Sequence, residues 1–219
     1  MKLKSKIKNV MKKNFYTTNY FFGLSIVIFT MSLIAFSDNM ITDVSQASNS
    51  NPFMIIHGLI MFLWTIVLII QTNHIRKLNL TQHKKFGIIG FIIAILMLLS
   101  INYLAYTGPD FVDLPFFGKA NRIFVPVFAV MLLFSYLKRH NKVLHQYLIF
   151  AGMLLCMEPI LSRFCGNLGL NPIVYAAPIW ILLWISFFIY DIAARRKLHP
   201  LLYGGLIFII LVFQMVGSS

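Results

Sequence analysis

Phe53-Met54-Ile55-Ile56-His57-Gly58-Leu59-Ile60-Met61-Phe62-Leu63-Trp64-Thr65-Ile66-Val67-Leu68-Ile69-Ile70-Gln71 carries a single ionisable side chain, His57. As a helix rising 1.5 Å per residue, a run of this length spans nearly the ~30 Å of a bilayer's hydrocarbon. Lipid offers no partner to a backbone N–H or C=O, so the run is expected to be a helix that bonds internally. Within it His57, Met61, Trp64, Leu68 and Gln71 recur at 4-3-4-3 spacing and share one face. That polar-ended stripe should face other helices, and the remaining surface should face lipid.

Six further apolar runs flank this one, at 20–36, 86–106, 123–137, 147–164, 173–190 and 201–216. The chain of 219 residues is 59% hydrophobic and 11% charged. A soluble domain carries about a quarter charged residues, and this chain has too few to cover a wet surface. The expected fold is an all-α, polytopic transmembrane helix bundle of about seven spans. Residues 1–18 read as a basic tail, and 19–219 as a single transmembrane helical domain.

The connections alternate in charge. The tail and the segments 72–86, 138–146 and 191–200 hold 16 Lys and Arg residues, against three elsewhere: Lys119, Arg122 and Arg163. This asymmetry orients the chain with its N-terminus in the cytoplasm and its C-terminus outside, as a multi-pass protein of the inner (plasma) membrane. The net charge of +13 is thereby an orientation signal; the basic residues form no face for nucleic acid, and the lipid bilayer is the expected partner. The first run reads as a retained anchor, because a small-residue site near Ala47 lies about ten residues past it. Cys156 and Cys165 would lie about 13 Å apart along one helix, too far for a disulfide.

His83, His145 and His199 each stand where a basic loop leads into an apolar run, 62 and 54 residues apart. The spacing is one helical hairpin each time, a weak internal repeat. Three imidazoles at one depth could converge on a metal ion, or two could clamp a haem iron with ligating nitrogens about 4 Å apart. The plainer reading leaves each histidine at the wet interface beside its own loop. Gln71, His74, His140 and Asp191 lie close by in sequence.

A second polar group falls toward the opposite ends of the runs: His57, Trp64, Asn121, Arg122, Glu158 and Arg163, with Asn102. It could form a pocket for an anion, a quinone headgroup, a cofactor propionate or another small-molecule ligand, since Arg reads carboxylates bidentately. The alternative is helix–helix pairing of Glu158 with Arg163 or Arg122. Pro159 should kink its helix there. His145, Gly152, Cys156 and Arg163 share a face of that helix, and Gly152 would admit a neighbouring helix or a flat ring. No hydrolase, zinc-protease, P-loop or dinucleotide motif is present, so no catalytic residue is assigned.

The strings His57-Gly58-Leu59-Ile60-Met61, Trp64, Gln71, His83 with Gly87 and Gly90, His145-Gln146-Tyr147-Leu148 through Pro159 to Arg163, and Lys197-Leu198-His199-Pro200 resemble uncharacterised bacterial multi-pass membrane proteins. The resemblance covers roughly residues 50–205. The stretch from His57 to His83 is also similar to the opening of the cytochrome b561 and ferric-reductase-like haem proteins. That resemblance implies four histidine-bearing core helices and bis-histidine haem sites. Carried onto this chain it pairs His83 with His145. His57 finds no histidine partner on the fourth run, where Arg122 stands. The expected function is a membrane redox or cofactor-binding protein holding b-type haem or a metal. The alternatives are a small-molecule or proton transporter using the outer pocket, and a non-catalytic accessory subunit.

Overall fold

The structure is a computed structural model describing residues 2–218, with side chains from Asn19 to Ser218. The described residues form α-helices and turns, with no strand. The helices are α1 (Lys2–Ala35), α2 (Pro52–Arg76), α3 (Leu80–Thr107), α4 (Phe116–Leu137), α5 (Lys142–Leu155), α6 (Glu158–Asn167), α7 (Pro172–Arg195) and α8 (Pro200–Gly217). By length and composition α2, α3, α4, α7 and α8 can each cross a membrane, and α5 with α6 would make six. The apolar part of α1, Asn19–Ala35, is shorter.

Helix starts are set by local chemistry. Asn51, Asn79, Asn141 and Asn171 precede α2, α3, α5 and α7, and each side-chain oxygen accepts a backbone N–H of the first turn. His199 does so for α8 through its ring Nδ1. These bonds satisfy donors that have no partner within the helix. Pro52, Pro172 and Pro200 follow three of the caps, where a missing N–H costs nothing and the fixed φ suits the first turn.

The expected stripe on α2 is real. Trp64 and Leu68 are buried and His57, Met61 and Gln71 half-buried, while Leu59, Leu63, Ile66 and Ile70 on the other side are exposed. Helix α2 packs on α1 and α3, α4 on α5, and α8 on both α4 and α5; α6 packs on α1 and α7, which brings the first helix against the late part of the chain. The core is aromatic, built on Phe21, Phe124, Phe128, Tyr147, Trp184 and Phe187. Two glycines permit close approach of helices. A Cβ on Gly152 would fall 2.6 Å from Phe128 Cδ2, and one on Gly205 would fall 2.8 Å from Trp184 Cη2. The flat ring against Gly152 is therefore Phe128 of α4. Ile88, Leu99, Leu182 and Ile189 point outward, as side chains against lipid would.

The run 147–164 is two helices, α5 and α6, meeting at 51°. Pro159 explains where the chain bends. It has no N–H for the carbonyl of Leu155 and its ring crowds that carbonyl, so α5 stops at Leu155. Trp180 Nε1 of α7 donates to the adjacent Leu154 carbonyl at 2.6 Å and holds the end of α5. Cys156 and Cys165 are both free thiols.

Candidate functional site

At the end of the bundle where α3, α5 and α8 begin, His83 and His145 stand in the same register. Each is the fourth residue after an asparagine cap, with His83 N donating to Asn79 O at 3.0 Å and His145 N to Asn141 O at 2.9 Å. Their ring centres are 6.3 Å apart and the planes meet at 81°. His145 Nδ1 lies 2.8 Å from the Ser135 carbonyl of α4. A carbonyl only accepts, so Nδ1 carries the proton and Nε2 is left to act as acceptor or ligand. His83 Nδ1 is buried with no hydrogen-bond partner, and so are both Oε1 and Nε2 of Gln71. His74 does not join them; it stacks on Phe86.

His199 is in a different position from the other two. It is itself the cap of α8, its Nδ1 accepting from Leu201 N at 3.2 Å. Four residues of register separate it from the position of His83 and His145, about 6 Å along a helix. Its ring packs on Tyr147, centre to centre 4.5 Å. The sequence-expected trio is thus a facing pair and a separate cap. Among the described residues no group of three or more His, Cys, Asp or Glu side chains is arranged to hold a metal ion.

Beside His199 lies a cluster that sequence reasoning placed only nearby. Asp191 is wholly buried; it accepts from the Tyr147 hydroxyl and from His199 N at 2.5 Å, and pairs with Arg195 at 3.5 Å. It joins α5, α7 and α8 and closes the turn in which Arg196 adopts φ 56°. Burial pushes the His199 imidazole below its ordinary value, and Arg195 and Lys197 add to this while Asp191 opposes it. The signal in the sequence was the Asp191/Arg195 spacing of four at the end of an apolar run, the geometry of a helical ion pair.

The other polar group resolves into separate partnerships. Glu158 is 8% exposed and accepts from Asn121 Nδ2 at 2.7 Å and from Ser162 Oγ at 2.6 Å. Arg163 reaches Asn39 Oδ1 at 3.1 Å and lies over the Phe36 ring. Arg122 donates to the Pro109 carbonyl at 3.1 Å. His57 bonds Ser100 Oγ across α2 and α3 at 3.0 Å, and the buried indole N–H of Trp64 has no partner. Asn102 turns back to its own helix, donating to Leu98 O. Glu158 therefore sits among neutral donors rather than arginines. Arg163 does find a polar partner, but on the loop after α1. Burial raises the Asp38 carboxyl there, but hydrogen bonds from Asn167, Asn39 and Gln46 with Arg163 more than offset it and hold it below its ordinary value.

No protein-family model, curated protein or solved structure matches the chain. Function must be read from the two ends of the bundle themselves. At one end two imidazoles face each other, one nitrogen oriented by a carbonyl and one unpaired. At the other a buried carboxylate stands where a helix is broken. Ser100 and Ser162 were missed because a helical serine can satisfy itself on the preceding turn, as Ser100 also does here; the Ser135 partner is a backbone carbonyl and Asn39 lies in the turn after α1, and neither carries a signal in the sequence.

Proposed function

We propose that the chain is a multi-pass inner-membrane protein of about seven spans, N-terminus inside, whose cytoplasmic end carries a two-histidine cofactor site formed by His83 and His145. The seven spans are Asn19–Ala35, the five long helices, and α5 with α6 taken as one broken crossing. The observation that carries the site is the ring separation of 6.3 Å. Two imidazoles that bind one metal from opposite sides, with metal–nitrogen bonds of about 2 Å, need ring centres about 6 Å apart. The donor chemistry fits as well. The Ser135 carbonyl orients His145 in the way ligating histidines are commonly oriented. His83 Nδ1 and the Gln71 amide are buried polar atoms in need of a partner.

A pair rather than a trio favours axial ligation of a planar group such as b-type haem over a mononuclear metal held by three histidines. Such a group would supply one-electron transfer at the inner face. The chain's own part is to hold the two imidazoles, His145 through the Ser135 carbonyl. Kinship with the cytochrome b561-like proteins enters on the same footing, as a proposal that this site would explain.

The test is expression with haem precursors followed by reduced-minus-oxidised spectra. A Soret band is expected in the wild type and in His199→Asn, and should be lost in His83→Ala and His145→Ala. No Soret band together with no bound metal by elemental analysis removes the proposal.

A further inference from the structure

A groove of about 310 Å³ lies between α1 and α7, lined by Tyr20 of α1 and by Ser186, Ile189, Tyr190, Ala193 and Ala194 of α7. Small-molecule sites begin at about this size, ~300 Å³. The groove shares no residue with the histidine pair. Its α7 positions follow the 3-4 spacing of a single helix face. Tyr20 is the second residue of the apolar part of α1, Asn19–Ala35, and Ala194 is the last before Arg195, which ends α7. The groove therefore opens at the end of the bundle that carries the basic loops. From Ser186 to Ala194 it runs eight residues, about 12 Å. That is most of the ~15 Å that one leaflet contributes to the hydrocarbon.

The lining selects hydrocarbon. The Tyr20 and Ser186 hydroxyls are bonded to each other at 2.9 Å, and Ser186 Oγ also donates to Leu183 O at 2.7 Å. The Tyr20 and Tyr190 rings stack at 4.4 Å between centres, and the two alanines leave open the width that larger side chains would fill. With these hydroxyls already satisfied, a polar ligand gains little here, whereas an acyl chain leaves no polar group unpaired.

At the mouth the chemistry changes. The next positions in the 3-4 series are Arg196 and Lys197, both exposed, in the turn between α7 and α8. Other cations at this end are committed: Arg195 to Asp191, and Arg76 to Asn73 with its guanidinium over the Phe22 ring of α1. Asp191, the carboxylate on this part of α7, is taken up by Tyr147, His199 and Arg195. Basic groups over a cleft between transmembrane helices are the pattern that holds an anionic lipid headgroup.

We propose that this groove is a site for one anionic phospholipid, with an acyl chain along Tyr20, Ile189 and Ala193 and the phosphate at Arg196 and Lys197. The apolar lining supplies the chain contact, and the two cations supply the preference for a charged headgroup over a zwitterionic one.

The experiment uses the full chain in phosphatidylcholine nanodiscs containing a small fraction of phosphatidylglycerol with a diazirine on one acyl chain. Photolabelled residues are mapped by peptide mass spectrometry, and the folding of each variant is checked by its melting. Expected is labelling concentrated on the groove segment of α7 and on α1 near Tyr20, removed by excess unlabelled phosphatidylglycerol and not by phosphatidylcholine. Ala193→Phe, which fills the groove, should abolish it; Ile192→Phe, at the same depth on another face of α7, should not. Arg196→Asn, which suits the left-handed backbone at φ 56°, combined with Lys197→Gln should raise the mole fraction needed for half-maximal labelling about fivefold for each cation removed. If Ala193→Phe does not fold, this double variant decides, since both its changes lie outside the helices. The proposal is overturned if phosphatidylcholine competes as well as phosphatidylglycerol, if labelling falls elsewhere on the bundle, or if the double variant labels like the wild type. A folded Ala193→Phe that labels like the wild type overturns it equally, and so does a second copy of the chain seated in the groove, which would exclude both lipids.

Discussion

Replacing Asp191 by Asn changes almost no volume and removes the charge on which three helices converge. In the native protein its two oxygens receive the Tyr147 hydroxyl, the His199 backbone N–H and the Arg195 guanidinium. An amide keeps one acceptor oxygen and turns an NH2 toward another of these donors. One hydrogen bond to a charged acceptor, worth about 1.5–3 kcal/mol, is lost, and Arg195, only 17% exposed, loses its counter-ion. Removing one partner of a buried pair costs about 3–5 kcal/mol. At about 2–4 °C per kcal/mol for a chain of this size, Tm should fall by roughly 6–20 °C. A thiol-reactive fluorophore reads this directly, because Cys165 is buried until the bundle opens. Tyr147→Phe removes one hydrogen bond to the carboxylate and should cost about 1.5–3 kcal/mol, less than Asp191→Asn. A drop of under about 2 °C for Asp191→Asn, or an equal drop for both variants, would refute the idea that the carboxylate charge is the centre of the cluster.

Gly152→Ala should destabilise by about 1–3 kcal/mol in the same assay, because its methyl meets the buried Phe128 ring at 2.6 Å; Phe128→Leu should restore part of the loss. Asn167 donates to the carbonyls of Ile34 and Ala35 at the end of α1 and to Asp38. Asn167→Ala should cost about 1 kcal/mol, and Asn167→Asp more, since it sets a carboxylate against those acceptors; equal melting of the two would argue against capping. His199 has its folded-state value lowered, so protonation favours the unfolded chain, and its stabilising contribution is present above the ordinary histidine range of about 6.5 and lost as pH falls. The protection of the amides at the start of α8 against hydrogen exchange, taken relative to the unstructured rate at each pH, should fall on acidification in the wild type and not in His199→Asn, which keeps a capping oxygen without titrating.

The helices were readable because a bilayer permits few structures. Apolar length marked α2, α3, α4, α7 and α8, and the stripe from His57 to Gln71 marked the buried face of α2. The ends were less visible. His83, His145 and His199 looked equivalent because all three adjoin basic loops, yet the caps decide their depth: Asn79 and Asn141 lie four residues before the first two, while His199 caps its own helix. Proline gave the break in the fifth run, but not the bond from Trp180 that meets the end of α5 there. The partnerships of Glu158 could not be read from charge, since opposite charges suggested arginine and the structure supplies Asn121 and Ser162. Such choices depend on which side chains three-dimensional packing brings within 3 Å, and no spacing along a single helix contains that information.

The contact of α1 with α6 and α7 has a consequence for synthesis. Tyr20 bonds Ser186, 166 residues further along the chain, and Tyr20 also stacks on Tyr190. At about 5–20 residues per second, the ribosome needs roughly 10–30 s after Tyr20 to produce its partners. Through that interval α1 has α2 and, later, α6 to pack on, and the Tyr20 and Phe21 rings lack their partners on α7. These contacts form only when α7 arrives, so a chain stalled before Ser186 would leave the Tyr20 face of α1 open to capture by quality-control proteases.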